Sequence, residues 1–290
     1  MDQVELLKAR VLQLEQELVF KQNEVLRYKT QLGSINQKLE KLIAQLSQDQ
    51  KSFLKIQRSL SPTEVPKLQG VEISSKFIPG MQFGGDYFDV FELEDKFHFG
   101  VILSSCSGYT VSALLLSVLM KISAQIEAKK GLAPHLVMKK IFDEIKGSLK
   151  PTDQANVLYC LFDRRHFKMS YAQLGHSLLY LQSQSKLTNL SQKGSSAELQ
   201  VPSESISIDL QPRDRLIFGT EELVEIKNLE GESFGTSRFE SVLKSVSKPG
   251  AHDMRNEILF AVEQHSQTTE PLRDMTLLVT EVQDRVIKLT

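Results

Sequence analysis

Over the first sixty residues, apolar side chains recur every three and four positions. With Val4 at heptad position a and Leu7 at d, the a series reads Val4, Val11, Leu18, Val25, Leu32, Leu39, Leu46, Phe53, Leu60. The d series reads Leu7, Leu14, Lys21, Tyr28, Ile35, Leu42, Asp49, Ile56. Fifteen of these seventeen positions are apolar, and the stretch holds no proline and one glycine, Gly33. A 3.5-residue repeat sustained this long predicts a coiled-coil helix, because one apolar stripe cannot bury itself. Two occupants of the seam stand open. One is a second copy in parallel, favoured by β-branched a and leucine d residues in the first two heptads. The other is the chain's own domain. The remaining chain is long enough to be a full domain unaided, which favours a homodimer through residues 4–60. Lys21, Gly33 and Asp49 are the seam's weak points.

Pro62 and Pro66 end the helix, and the period changes. Val71 to Pro79 alternates like a strand. Lys96 to Leu103 alternates and then becomes fully apolar. Helical patterns follow over Val111–Lys129 and Ala133–Leu149. Strand patterns cover Asn156–Phe162, Phe167–Leu174, Leu178–Gln182, Ile206–Leu210 and Arg215–Gly219. Two helices, near Ser237–Val246 and Ala251–Gln264, precede a last strand, Met275–Val282, and Gln192–Glu204 reads as a surface loop. The pattern predicts two domains, a coiled-coil helix at 1–60 and an α+β domain at 61–290 with helices outside and sheets inside.

Composition narrows the chemistry. Net charge is −1 and 41% of residues are hydrophobic, so a core can form and nothing global favours nucleic acid. Cys106 and Cys160 lack metal or disulfide spacing, and the six histidines are scattered. The longest apolar run, Val111–Met120, is interrupted by Ser112 and Ser117 and is too short to span a membrane. The start, MDQVELL, lacks a basic signal-peptide region. These features predict a cytoplasmic protein without membrane insertion.

Chemistry concentrates in two strings. "FGGDYFDVFEL" (Phe83–Leu93) sets two glycines before an aspartate, so backbone can approach a ligand while a carboxylate points inward. A Gly-Gly bulge with a capping aspartate would read the same. "GVILSSCSGYTVSALLL" (Gly100–Leu116) is a strand, a tight turn and a helix, and this corner carries hydroxyls, a thiol and a tyrosine but no acid or histidine.

Taken in order, the motifs resemble the SpoIIE/RsbU-like branch of the PPM metal-dependent serine/threonine phosphatases. Ile56–Val90 resembles the family's first segment and "SSCSGYTVSALLL" its Asp-x-Ser-Gly-His-Gly turn and helix. "AQLGHSLLYLQ" (Ala172–Gln182) resembles its Asn-Ala-Gly-His segment. "LQPRDRLIFGTEELVEIKN" (Leu210–Asn228) resembles its Thr-Asp-Gly segment, "SFGTSRFESVL" (Ser233–Leu243) its Phe-Gly helix, and "LRDMTLLVTEV" (Leu272–Val282) its terminal Asp-Asp strand. The resemblance implies a four-layer α-β-β-α sandwich. It also implies two Mn²⁺ or Mg²⁺ ions, held by aspartates and waters, that activate water against phosphoserine or phosphothreonine.

Position by position, the resemblance implies a damaged site. The Gly-Gly-Asp aspartate is Asp86. The turn's aspartate falls on Ser105, its histidine on Tyr109 and its second glycine on Thr110, while Ser107 and Gly108 match. The Thr-Asp-Gly aspartate falls on Glu221 and its glycine on Glu222. Of the terminal pair, the first aspartate falls on Arg273 and the second on Asp274. A serine hydroxyl is a weak neutral ligand, and arginine stays cationic. Like charges at about 4 Å cost about 4 kcal/mol per unit charge at an effective dielectric of 20. The degenerate positions Ser105, Tyr109, Glu221 and Arg273 therefore predict that no two-metal centre assembles and no cofactor is needed. A one-residue slip of the last strand would instead offer Asp274, at the cost of flipping its faces.

Further expectations follow. Arg273 would fork onto Asp86 and Glu221 in the space of a metal. Tyr109 would fill the emptied cleft, Cys106 would be a small buried hydrophobe, His176 would make a structural hydrogen bond, and Asp89 would bond locally. Ser107, Gly108 and Arg273 are candidates to hold a phosphate without hydrolysing it. The favoured function is a catalytically degenerate, dimeric signalling regulator or phosphoprotein-binding scaffold. Its partner would be a signalling protein such as an anti-sigma-factor antagonist. The alternative is an active Mn- or Mg-dependent phosphatase using Asp86, Glu221 and Asp274. A purely structural oligomeriser is a third reading.

Overall fold

The heptad stretch forms one helix, α1 (Gln3–Leu60), about 87 Å long at 1.5 Å per residue. This is seen in a computed structural model, which describes residues 3–60, 65–81, 85–107, 118–119, 121–123, 125–147, 154–184, 186–191, 201–246, 250–267 and 269–283. The chain divides into two units, Met1–Leu54 and Lys55–Thr290. Within α1, the seam residues Val4, Leu7, Val11, Leu14, Leu18, Val25, Tyr28, Leu32, Ile35, Leu39 and Leu42 are all exposed. No helix of the described residues is long and apolar enough to cross a membrane.

Two antiparallel five-stranded sheets build the second unit. Sheet B contains β2 (Tyr87–Glu92), β3 (His98–Ser107), β4 (Gln154–Asp163), β5 (Lys168–Leu174) and β8 (Ile206–Asp209), in that spatial order. Sheet A runs β1 (Val71–Ile78), β10 (Met275–Val282), β9 (Arg215–Gly219), β6 (Leu178–Ser183), β7 (Lys186–Asn189). The helices are α2 (Pro134–Ile145), the single turn α3 (Glu222–Glu225), α4 (Thr236–Ser245) and α5 (Ala251–Ser266). Of the helix predicted over Val111–Lys129, residues 111–117, 120 and 124 lie outside the described residues. Its described part is helical and ends in a 3₁₀ turn, Ala128–Lys130.

Period-two alternation sorts the strand residues into layers. Phe88, Val90, Phe99, Val101, Leu103, Leu158 and Phe162 of sheet B meet Leu179, Leu216, Phe218 and Leu278 of sheet A between the sheets. Phe99 and Phe162 stack there at 4.3 Å. On the outer face of sheet B, Ile102, Val157 and Tyr159 pack on Val137, Met138, Ile141 and Ile145 of α2. On the outer face of sheet A, Ile217, Leu277 and Val279 pack on Phe239 and Leu243 of α4 and Met254, Ile258 and Val262 of α5. The result is the four-layer α-β-β-α sandwich.

Sheet A is tied to its helices by a buried polar network. The Arg215 Nε donates to Glu281 Oε2 at 2.7 Å, and Arg215 Nη1 donates to Gln182 Oε1 at 3.2 Å. The Gly250 amide, at the start of α5, also donates to Glu281 Oε2 at 2.7 Å. Gln182 Nε2 in turn donates to the Leu243 carbonyl in α4 at 2.7 Å. Removing one partner of a buried ion pair strands the other charge. Glu281→Ala is therefore expected to destabilise the domain by about 3–5 kcal/mol in chemical denaturation, and the double change Arg215→Met/Glu281→Leu by clearly less.

Candidate functional site

The two sheets meet at one rim, and of the residues singled out from the sequence Asp86, Ser105, Arg273 and Asp274 lie there. β2 and β3 pair Phe88 with Leu103 and Tyr87 with Ser104. One step further, the Cys106 amide donates to the Gly85 carbonyl at 3.3 Å, so Asp86 stands opposite Ser105. By alternation both belong to the face of Phe88 and Leu103, which looks into the space between the sheets. From sheet A, β9 and β10 pair Gly219 with Leu277. Just beyond, the Thr220 amide donates to the Thr276 carbonyl at 3.1 Å, and the Thr276 amide to Thr220 Oγ1 at 3.0 Å. The Thr276 hydroxyl then donates to Asp86 Oδ2 at 2.8 Å, from one sheet to the other.

Asp274 closes this rim from behind. Its Oδ1 accepts the Gly80 amide at 3.0 Å and its Oδ2 the Asp86 amide at 3.4 Å. It is 2% exposed. The approach of β1 to this segment needs a glycine, since a Cβ on Gly80 would stand 2.3 Å from the Arg273 carbonyl carbon.

Burial pushes the Asp86 carboxyl well above the usual range, and the nearby Asp274 carboxylate pushes it further. Hydrogen bonds from Thr276 and Thr220 and the charge of Arg273 act in the opposite direction. The folded state therefore holds this proton more tightly than the unfolded chain. Its contribution to stability is largest at low pH and is lost as pH rises above about 3.9, the ordinary aspartate value, toward the folded one. Asp86→Asn keeps an oxygen for Thr276 but cannot ionise. Urea melts across pH 4 to 8 are expected to show a flatter pH dependence for the variant, with its advantage over wild type growing toward high pH.

Arg273 does not fork onto Asp86 and Glu221 as expected. Its Nε donates to Glu222 Oε2 at 3.2 Å and its Nη2 pairs with Glu225. Glu222 is 5% exposed and also accepts the Leu272 amide on Oε1 at 2.9 Å. The reason is helical phase. Glu222 and Glu225 lie three apart on α3 and share a face, whereas Glu221 is the N-cap residue and supplies its carbonyl to the Val224 and Glu225 amides. The sequence reading missed Glu222 and Glu225 as Arg273's partners. The available signal was an acid at 222, where the resemblance implies a glycine, and an arginine at 273, where it implies an aspartate.

Ser105 accepts a hydrogen bond from Asn156 Nδ2 at 3.2 Å, and Asn156 Oδ1 accepts the His176 amide at 2.9 Å. His176 thus joins the structure through its backbone. Asp89 bonds locally, to the Tyr87 hydroxyl and the Val90 amide, each at 2.8 Å. Cys106 is buried against the α2 layer. Gly108, Tyr109 and Thr110 lie outside the described residues, as does the side chain of Ser107. Among the described residues, no group of three or more His, Cys, Asp or Glu is placed to hold a metal ion.

The SpoIIE model, described as stage II sporulation protein E, matches residues 95–283. The chain belongs to the SpoIIE family. It is 22% identical over 141 residues to the phosphoserine phosphatase RsbU of Bacillus subtilis, covering 48% of this chain and 42% of that protein. The chain thus spans about two fifths of the length of this relative. Among solved structures, the SiaA-PP2C domain of Pseudomonas aeruginosa superposes with a TM-score of 0.69 at 19% identity. The match covers 82% of this chain and 98% of that one. The RsbU and RsbW domains of Rv1364c from Mycobacterium tuberculosis superpose with a TM-score of 0.64 at 18% identity, covering 76% and 64%. These likenesses show the SpoIIE/RsbU-like PPM fold.

Proposed function

We propose that this SpoIIE-family domain is catalytically degenerate and works as a dimeric signalling regulator that binds a partner protein without hydrolysing phosphate. The observation that carries the reading is the pairing of Arg273 with Glu222 and Glu225 at the rim. Metal pairs need several anionic oxygens turned toward them. Here Ser105 offers a neutral hydroxyl bonded to Asn156, Asp274 spends both oxygens on amides, and Asp86 shares Oδ2 with Thr276. This donor set does not fit a two-metal centre. Nor does Arg273 offer a free fork to phosphate. Partner recognition by the domain's surface accounts for retaining the fold, and an anti-sigma-factor antagonist is a partner of the expected kind, one that family resemblance suggests. The full chain is expected to show no calorimetric Mn²⁺ binding below millimolar concentration and no Mn²⁺-dependent hydrolysis of an aryl phosphate. Turnover lost on Asp86→Asn would establish the phosphatase reading instead.

The open seam of α1 supports a parallel homodimer. In parallel register, Arg10 at g faces Glu15 at e of the second copy, and Glu24 at g faces Lys29 at e, so both charged pairs attract. Sedimentation equilibrium of the full chain is expected to give twice its mass of 32.8 kDa. Leu14→Asp/Leu18→Asp, which places charge on consecutive d and a positions, is expected to return the monomer.

A further inference from the structure

We infer that Arg273 replaces a bound metal ion as the cation that holds the rim together. This rests on the metal-free reading above and adds a specific device to it. Two neighbouring changes stand out. Where the family resemblance puts an aspartate, the chain has Arg273, and where it puts a glycine, the chain has Glu222. The sign of the charge is inverted at 273, and a negative charge is added at 222, the other end of the same contact.

The geometry gives this swap a structural role. α3 directly follows β9, and Arg273 lies in the segment that leads into β10. Through Nε and Nη2 the guanidinium bridges Glu222 and Glu225, and the Leu272 amide adds a bond to the same Glu222. This fixes α3 to the start of β10. Directly behind, Asp274 holds Gly80 and Asp86, and Thr276 holds Asp86. Arg273 thus ties α3 to the segment before β10, while its neighbours Asp274 and Thr276 tie that segment to the end of β1 and the start of β2. A divalent ion binds by drawing carboxylates together. Here an internal cation draws the two carboxylates of the helix turn onto the segment before β10. A planar fork suits two acceptors better than a point charge, so lysine is expected to substitute only in part.

The test is thermal unfolding of the full chain, with Arg273→Asp, Arg273→Gln and Arg273→Lys, in EDTA and in millimolar MnCl₂. Wild type is expected to melt at the same temperature in both. In EDTA, Arg273→Asp is expected to melt lower by about 4–8 °C, taking about 2–4 °C for each kcal/mol lost in a domain of this size. Arg273→Gln should fall by less and Arg273→Lys by least. Mn²⁺ is expected to recover at least half of the loss in Arg273→Asp, where a cation is missing among acids, and none in Arg273→Gln. If Arg273→Asp melts with wild type in EDTA, or falls without recovery by Mn²⁺, the replacement is overturned while the metal-free reading stands. If Mn²⁺ raises wild type itself, the metal-free reading falls, and the replacement falls with it.

Discussion

The hydrogen bond from the Thr276 hydroxyl to the Asp86 carboxyl is the contact on which the rim depends. It is made between sheets whose facing residues are otherwise mostly apolar, Phe88, Leu103, Phe218 and Leu278 among them. Its position follows from three registers at once: β2 on β3, β10 on β9, and β1 on β10. A slip of one residue in any of them would turn Asp86 or Thr276 to the wrong face. The Gly-Gly-Asp string, the Thr-Glu-Glu turn and the Arg-Asp-Met-Thr segment are far apart in sequence and meet because these pairings are fixed.

A buried carboxyl costs free energy unless it is protonated or paired. Asp86 is supported by two threonine hydroxyls but faces the charge of Asp274, and the balance raises its proton affinity. Asp274 is compensated differently, by backbone amides of Gly80 and Asp86. The site is therefore built to keep acids satisfied from within the protein. The Glu222–Arg273–Glu225 contact extends the same arrangement outward, where Arg273 is about one-third exposed and solvent weakens the pairing.

The sequence carried the fold well where periodicity was strong. The heptads of α1, the alternation in β1 and β3, and the strand patterns over β5 and β10 each correspond to one element. β2 was not evident, because Tyr87, Phe88, Val90 and Phe91 are buried on both faces and show no alternation. β7 was not evident because Lys186–Asn189 is short and polar. At the site, Asp86, Ser105, Arg273 and Asp274 could be placed by motif. The partners of Arg273 could not, since choosing between Glu221 and the Glu222/Glu225 pair depends on where α3 begins after Gly219. That start is fixed by packing of Leu223 under the sheet, which no local pattern reveals.

The central claim is that protein carboxylates and one arginine, rather than divalent ions, hold this rim. A crystal structure of the full chain grown in millimolar MnCl₂, with anomalous data collected for manganese, tests it most directly. The account predicts the Arg273 guanidinium between Glu222 and Glu225 and no anomalous peak within bonding distance of Asp86. A manganese peak coordinated by Asp86, with Arg273 swung away, would contradict it.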